Sequence, residues 1–582
     1  MEHPWLRHYD PDTPYTLTYP DVTLDRFLDD AARDCPNRPA ISFVLKYLLG
    51  GRVLIGSRLT YRRLRTHVDR FAAALHQLGV RKGDRLALML PNSPQFVIAF
   101  FAALRLGAIV VNTNPTYTAP EIQHQMADSG AETIVLLNLF LPRLRKVQAD
   151  LPQLKRVVVA MIDDTLPFPA SALVRQAQRR EPDWVEVIPD ESTFRFADLL
   201  TRSSAVPPAI PCDPSDVALF QYTGGTTGVP KAAMLTHRNL VSNALQAQSW
   251  LPRSPRGTER MMCAIPFFHV YGMTVGMNLS IVMAAEMIIV PNPRPIENVI
   301  NIIHKQRATL FPGVPAMYIG TINHPDVAHY DLTSVSACIS GAAPLPMEVQ
   351  EQFGAITGGR LVEGYGLTEA SPITHCNPLY GLRKPGSIGI PLPDVEARIV
   401  DLETGETLPA GADAAGELLI RGPQVMRGYW NRPEETAETL NEEGWLRTGD
   451  IARIDADGYF SIVDRKKDMI IASGYKVLPR EIEEVLYAHP AVQEVAVAGV
   501  PDAYRGETVK AYIVPKPGTW PTEAEIIAHC RVSLAPYKVP KLVEFRTELP
   551  KTAIGKVLRR MLVAEERQKL ALEREAATQQ TT

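Results

Sequence analysis

A short apolar run, Val217-Ala218-Leu219-Phe220, leads through Gln221 into Tyr222-Thr223-Gly224-Gly225-Thr226-Thr227-Gly228-Val229-Pro230-Lys231. The run reads as a buried strand. A helix is predicted from Thr236, an N-cap type of residue, through Asn239-Leu240-Val241 toward Trp250. The stretch between them carries three glycines, three threonines and one lysine. Glycine lets the backbone take positive φ and come close to a ligand. Successive N–H groups in such a loop form an anion-binding concavity, to which threonine hydroxyls add donors and a lysine adds charge. The composition therefore suits a loop that holds phosphate. It is not the G-x-x-x-x-G-K-[ST] loop, because Lys231 follows Pro230 and precedes Ala232. Nor is it G-x-G-x-x-G. Taken alone, the stretch leaves a phosphate cradle and an ordinary glycine-rich turn both open.

The surroundings narrow the fold class. From Leu59 to Val159 strand and helix signals alternate: Arg85–Leu90, Ala108–Val111 and Thr133–Leu137 as strands, Ser93–Leu106 as a helix. Such alternation argues for a parallel sheet covered by helices. Upstream, Thr23–Asp34 reads as an amphipathic helix, and Ile41–Ile55 as a β-hairpin turning at Gly50-Gly51. That hairpin is apolar enough to touch a membrane or a partner if exposed. Residues 163–215 are charged and proline-rich and read as a surface excursion.

A chain of 582 residues is long enough for several domains. Its formal charge of −3 excludes nucleic-acid binding driven by overall basicity. No two of the six cysteines lie closer than Cys338 and Cys376, so there is no C-x-x-C site, and buried thiols in a reducing compartment are expected. H-E-x-x-H and G-x-S-x-G are absent. The N-terminus lacks the basic start and apolar core of a signal peptide. The longest apolar runs, Phe96–Val111 and Gly272–Val290, are interrupted by polar residues and read as core helix and strand rather than membrane spans. The expected location is cytoplasmic, and the reading leaves open both a plain hairpin and one that makes peripheral membrane contact.

The wording of Tyr222–Lys231 resembles the phosphate loop of the adenylate-forming superfamily: acyl-CoA synthetases, luciferase-like enzymes and peptide-synthetase adenylation domains. The usual Tyr-Thr-Ser-Gly-Thr-Thr-Gly-x-Pro-Lys-Gly is altered at Gly224 and Ala232. Gly224 removes one hydroxyl donor. Further strings resemble the same superfamily in order and spacing, and each has a chemical reading of its own. Ser340-Gly341-Ala342-Ala343-Pro344 and Glu363-Gly364-Tyr365-Gly366-Leu367-Thr368-Glu369 resemble its adenine and magnesium motif. Tyr365 offers a face for stacking, and Glu369 is a hard oxygen ligand of the kind Mg²⁺ takes once or twice alongside phosphates. Asp450, in Trp445–Asp450, can accept from two ribose hydroxyls. His269, in Ile265–Met273, is by default a satisfied core histidine; the resemblance places it near the acyl carboxylate.

The resemblance implies an α/β chain with a large multi-sheet N-terminal domain (1–464) and a small mobile α+β C-terminal domain (465–582). Arg465 would contact the nucleotide and Lys467 would be the hinge. Lys556, in Pro550–Lys556, would be the catalytic lysine. Ser473, Gly474 and Tyr475 would meet the thiol of coenzyme A. Thr223, Gly224, Gly225, Thr226, Thr227, Gly228 and Lys231 would hold phosphates. The implied activity is ATP- and Mg²⁺-dependent conversion of a long-chain fatty acid to acyl-AMP and then to its coenzyme A thioester. Catalysis would rest on Lys556, Glu369, Thr223 and His269, and the apolar Met273–Ala285 would line an acyl tunnel or form plain core. A medium-chain or aromatic-acid ligase, a ligase loading a carrier protein, and an idle relative acting as a binding module are the alternatives. The resemblance also leaves a homodimer open.

Overall fold

The computed structural model describes residues 3–48, 53–223, 230–412, 414–472, 475–502, 506–552 and 555–580. Two compact units emerge. One comprises Met1–Glu396 and Ile420–Leu446, the other Ala397–Leu419 and Arg447–Thr582.

The first unit opens with an arm that has one short 3₁₀ turn, Pro4–His8, and then the amphipathic helix Arg26–Asp34. The hairpin follows: β1 (Pro39–Leu48) pairs antiparallel with β2 (Val53–Thr60), and its tip lies outside the described residues. Next come β3 (Arg85–Met89), β4 (Ile109–Asn112), β5 (Thr133–Leu137), β6 (Arg156–Ala160), β7 (Thr193–Arg195), β8 (Val217–Thr223) and β9 (Lys231–Thr236). With the two-residue strand Gly428–Tyr429 they form one eight-stranded sheet. β8, β4, β3, β5, β6 and β7 run parallel in that spatial order, as the alternation predicts. The helix Pro94–Arg105 starts on an N-cap Ser93 whose hydroxyl accepts from Phe96 N, and all but its last residue are buried. An apolar helix buried all round is one that packs inside a large domain.

Two expectations need correction. Residues 163–215 are not a plain excursion: β7 is the edge strand of the large sheet, and two helices flank it, Ala170–Gln178 and Phe196–Arg202. The phosphate stretch is also not a simple strand–loop–helix unit. β9 folds back on β8, pairing Thr223 with Lys231, before the helix His237–Ser249 begins. Thr236 caps that helix as expected, in a capping box with Asn239.

Further along, Gly272–Val290 is a buried π-helical turn (Gly272–Asn278), a short α-helix (Leu279–Met283) and a strand (Glu286–Ile289) that joins β1 in parallel. A four-stranded sheet holds Ala337–Ser340, Arg360–Gly366, Ile373–Cys376 and Ile390–Pro391. Among the described residues no helix is long and apolar enough to cross a membrane.

The second unit contains the sheet strands Leu446–Ile454 and Phe460–Arg465, which pair antiparallel. Its other sheet is built on the long ladder Val492–Asp502 with Gly506–Pro515. Thr522 caps the helix Glu523–Ser533 in a capping box with Glu525. The charged C-terminal stretch is helical over Arg559–Gln580.

Candidate functional site

In open α/β sheets ligands gather beyond the carboxyl ends of the parallel strands. Thr223 stands at that end of β8, paired across the ladder with Lys231 of β9. Gly224, Gly225, Thr226, Thr227 and Gly228 lie outside the described residues. Both shoulders are anchored. Tyr222 donates its hydroxyl to Asp128 Oδ2 at 2.6 Å, and Arg432 meets Asp128 Oδ1 at 3.1 Å. Lys231 is largely buried. Its Nζ sits 3.7 Å from Glu435 Oε1 and 5.5 Å from the centre of the Tyr429 ring.

Tyr429 links the loop to the second predicted motif. Its strand, Gly428–Tyr429, pairs with β9, and its hydroxyl donates to Glu369 Oε1 at 2.7 Å. Burial, and then the charge of Glu369, push the phenol well above its usual pKa, so it remains a donor. The main chain is tied as well: Met426 N donates to Glu369 O at 2.7 Å. A lysine and a carboxylate that are 138 positions apart in sequence are thus joined through one ring. Glu369 is half-buried, and among the described residues it has no ion-pair partner. One such carboxylate suits Mg²⁺, which fills its remaining positions with phosphate oxygens and water rather than with a protein cage. Accordingly, no cluster of three or more metal-ligating side chains occurs among the described residues.

Tyr365 is half-buried on Arg360–Gly366, directly across from His375, with the two rings 6.0 Å apart and edge-on. Burial pushes His375 down to about 3, so it is neutral. The glycines beside Tyr365 answer first to the protein's own packing. A Cβ at Gly364 would lie 2.6 Å from Ile339, and one at Gly366 would lie 2.0 Å from the Pro372 carbonyl oxygen. A Cβ at Gly341 would lie 3.1 Å from the Tyr271 ring, a tight contact that the ring would have to relieve by a few tenths of an ångström. Ala342 takes φ 70°, a left-handed value unusual for alanine, and opens the exposed stretch Ala342-Ala343-Pro344. Thr368 and Glu369 share a 3₁₀ turn that ends at Ser371, φ 74°. His269 is half-buried and its Nδ1 accepts from Tyr271 N at 3.2 Å. Gln221 of β8 donates to the Phe268 carbonyl at 3.0 Å, which holds the histidine's loop to the strand that carries Thr223.

In the second unit, Asp450 is buried and its Oδ1 lies 3.1 Å from Arg465 Nε across the strand pair. Lys556 belongs to the same charge cluster. Desolvation, followed by the neighbouring Arg465, pushes its ammonium down to about 7, with Asp450 opposing and Lys467 assisting. Burial and Arg465 lower Lys467 too. Tyr475 is exposed and stacks on Tyr537, ring centres 4.6 Å apart; Ser473 and Gly474 lie outside the described residues. The sequence reading missed Tyr429 and Glu435. The string Gly428-Tyr429-Trp430 was the available signal, two aromatics beside a glycine, but without the β9 pairing nothing directs it to Glu369.

Residues 28–430 match the model of the AMP-binding enzyme family, and residues 481–556 match that of the AMP-binding enzyme C-terminal domain. The chain is 47% identical over 567 residues to a long-chain-fatty-acid–CoA ligase of Bacillus subtilis, covering 97% of this chain and 98% of that one. It is 41% identical over 580 residues to a protein of the same name from Escherichia coli O157:H7, covering 98% and 99%. Among solved structures, ATP-bound MatB from Rhodopseudomonas palustris is similar with a TM-score of 0.80 at 30% identity, over 94% of this chain and 99% of that one.

Proposed function

The chain belongs to the AMP-binding enzyme family, and on that premise we propose that it activates a long-chain fatty acid with ATP and transfers the acyl group to coenzyme A. The observation that carries the reading at the level of the site is the Lys231–Tyr429–Glu369 connection, which sets a cation and an unneutralised carboxylate beside the mouth of the β8–β9 loop. In the first half-reaction a carboxylate oxygen of the fatty acid attacks the α-phosphorus, the bond to the β-phosphate bridge breaks, and pyrophosphate leaves. Phosphoryl chemistry of this kind needs charge stabilised more than it needs a protein nucleophile. Thr223, Lys231 and the loop between them would hold the β- and γ-phosphates. Glu369 would hold Mg²⁺, which when bound neutralises charge on the phosphate oxygens. Tyr365 would stack on adenine, Asp450 would accept from the ribose hydroxyls, and Lys556 and Arg465 would face the α-phosphate. His269 would position the carboxylate.

In the second half-reaction the coenzyme A sulfur, its proton lost to solvent, attacks the acyl carbon and AMP leaves. The residues after Lys467 would swing between the steps, bringing Ser473–Tyr475 toward the thiol. Pyrophosphate exchange into ATP in the presence of palmitate, followed by palmitoyl-CoA formation, tests the reading. An enzyme that is silent with every alkyl acid would overturn it.

Two predictions follow from these roles. Lys467→Pro fixes φ near −65° and restricts the residue before it. It should slow steady-state turnover at least about tenfold while ATP affinity, measured by calorimetry, stays within about twofold; unchanged turnover would remove Lys467 as the pivot. The second concerns membrane contact, which the β1–β2 hairpin supports. Leu48, Val53 and Leu54 are 39–40% exposed and share its outer end. Leu48→Glu with Val53→Glu should abolish co-flotation with anionic vesicles and leave turnover of detergent-dispersed palmitate intact. Flotation equal to wild type would assign the hairpin no such part.

A further inference from the structure

The first unit contains an apolar cavity of about 60 Å³. Val275 and Leu279, from the turns that follow His269, line one side. Ile339 and Val362 line another, and both precede motif residues on their strands, Ser340-Gly341 and Glu363–Tyr365. The wall also includes Trp250, the C-cap of the helix His237–Ser249, and Leu392. Trp250 is buried and its Nε1 donates to Asn377 O at 3.0 Å.

Behind Trp250 lies the N-terminal arm. Tyr9 meets the indole edge-on, ring centres 5.1 Å apart at 81°, and donates its hydroxyl to Pro391 O at 2.7 Å. The arm is pinned a few residues later on one carboxylate. Asp394 accepts from Thr16 Oγ1 (2.5 Å), Leu17 N (2.9 Å) and Tyr19 OH (2.7 Å). Asp10 accepts from Tyr380 N at about 3.1 Å. The arm has little regular structure of its own, so these side-chain bonds are what hold Tyr9 against Trp250.

We propose that the cavity receives the methyl end of the acyl chain and that Trp250, backed by Tyr9 of the N-terminal arm, is its end wall and sets the upper limit of chain length. This rests on the fatty-acid reading above. The cavity exceeds the roughly 10–15 Å³ that one water molecule needs on the same kind of measure. That is room for the tip of an alkyl chain. A longer chain must push the indole toward Tyr9, and the arm, held at Asp394 and Asp10, resists. The cavity's apolar lining would select a hydrocarbon end over a polar one.

The test is the chain-length profile of kcat/KM for saturated acids from eight to twenty carbons. Each buried methylene is worth roughly fourfold in binding. Trp250→Ala should raise the ratio of the twenty-carbon to the twelve-carbon acid at least about tenfold. Tyr9→Ala should shift it the same way by less. Tyr9→Phe keeps the ring behind Trp250 and should keep the wild-type ranking. Profiles unmoved in both alanine variants, each melting as the wild type does, would overturn the proposal. Should Trp250→Ala fail to fold, Trp250→Leu and the wild-type enzyme decide. A sixteen-carbon acid with a terminal diazirine should label Trp250, Leu251 or Leu392 on irradiation of the wild type. Labelling confined to other segments, in an enzyme that still turns over long-chain acids, would overturn the end wall and leave the ligase reading standing. No turnover of any alkyl acid would sink the ligase reading itself.

Discussion

Replacing Lys556 with alanine should slow formation of acyl-AMP by about 10²–10³ and nearly spare thioester formation from supplied acyl-AMP. The first figure is the usual loss when one cation or donor aimed at developing charge is removed. The second follows from the proposed swing about Lys467, which takes the lysine away before the thiol attacks. Pyrophosphate release from ATP and palmitate measures one half, and palmitoyl-CoA formed from synthetic palmitoyl-AMP measures the other. Equal loss of both halves would make Lys556 structural or the swing absent; loss of neither would remove it from the chemistry. The charge cluster adds a pH signature. The lysine is useful as a cation, and its pKa is pushed down to about 7 by desolvation and Arg465. The active form is therefore present below that value and lost as pH rises through it. Because kcat/KM reports the free enzyme, kcat/KM for ATP in the first half-reaction should fall on the alkaline side with an apparent pKa near 7. Bound phosphates favour the charged form, so the corresponding limb in kcat should lie at higher pH. Lys556→Arg, whose guanidinium stays protonated throughout, should move the kcat/KM limb out of the neutral range, whatever it does to the absolute rate.

What could be read ahead of the structure was what local physics dictates. The cap at Thr236 is satisfied within four residues, so its helix starts where the side chain says. The parallel strands were legible because a strand buried on both faces is nearly continuously apolar, as Ile134-Val135-Leu136-Leu137 is. β9 was not legible. Lys231-Ala232-Ala233-Met234-Leu235 has no β-branched residue and no clean alternation, and its strand character comes from pairing with β8 on one side and Gly428–Tyr429 on the other. β7 is similar, a run of three residues too short to read as a strand without the neighbour it pairs with. Tyr429 shows the same limit at the site. Its importance lies in reaching Glu369 and Lys231 at once, which is a tertiary fact. Gly364 and Gly366 show the converse. A ligand's approach was one reason for glycine there, while at Gly366 the Pro372 carbonyl requires it before any ligand arrives, and at Gly364 the end of the Ile339 side chain would have to give way.

Glu369→Gln should raise the Mg²⁺ concentration needed for half-maximal acyl-AMP formation by about 100-fold or more, with the fold intact. Disturbing a residue that merely supports a metal ligand typically lowers metal affinity about 10- to 100-fold, and here the ligand's own charge is removed. The fold should survive because glutamine keeps an oxygen where Tyr429 donates, at 2.7 Å in the wild type. Glu369→Ala is the contrasting variant. It would leave the nearly buried Tyr429 hydroxyl without its acceptor, a loss of about 1–3 kcal/mol, visible as a lower melting temperature. Tyr429→Phe tests the link from the other end. Glu369 would keep its charge and lose the donor that orients it, so Mg²⁺ dependence should shift in the same direction by less, about tenfold on the same scale. If Tyr429 acts only through Glu369, the double variant Tyr429→Phe with Glu369→Gln should be no worse toward Mg²⁺ than Glu369→Gln alone. Strictly additive losses would mean that Tyr429 serves Lys231, 5.5 Å from its ring, rather than the metal. A Glu369→Gln enzyme with wild-type turnover at limiting Mg²⁺ would remove Glu369 from the metal site altogether.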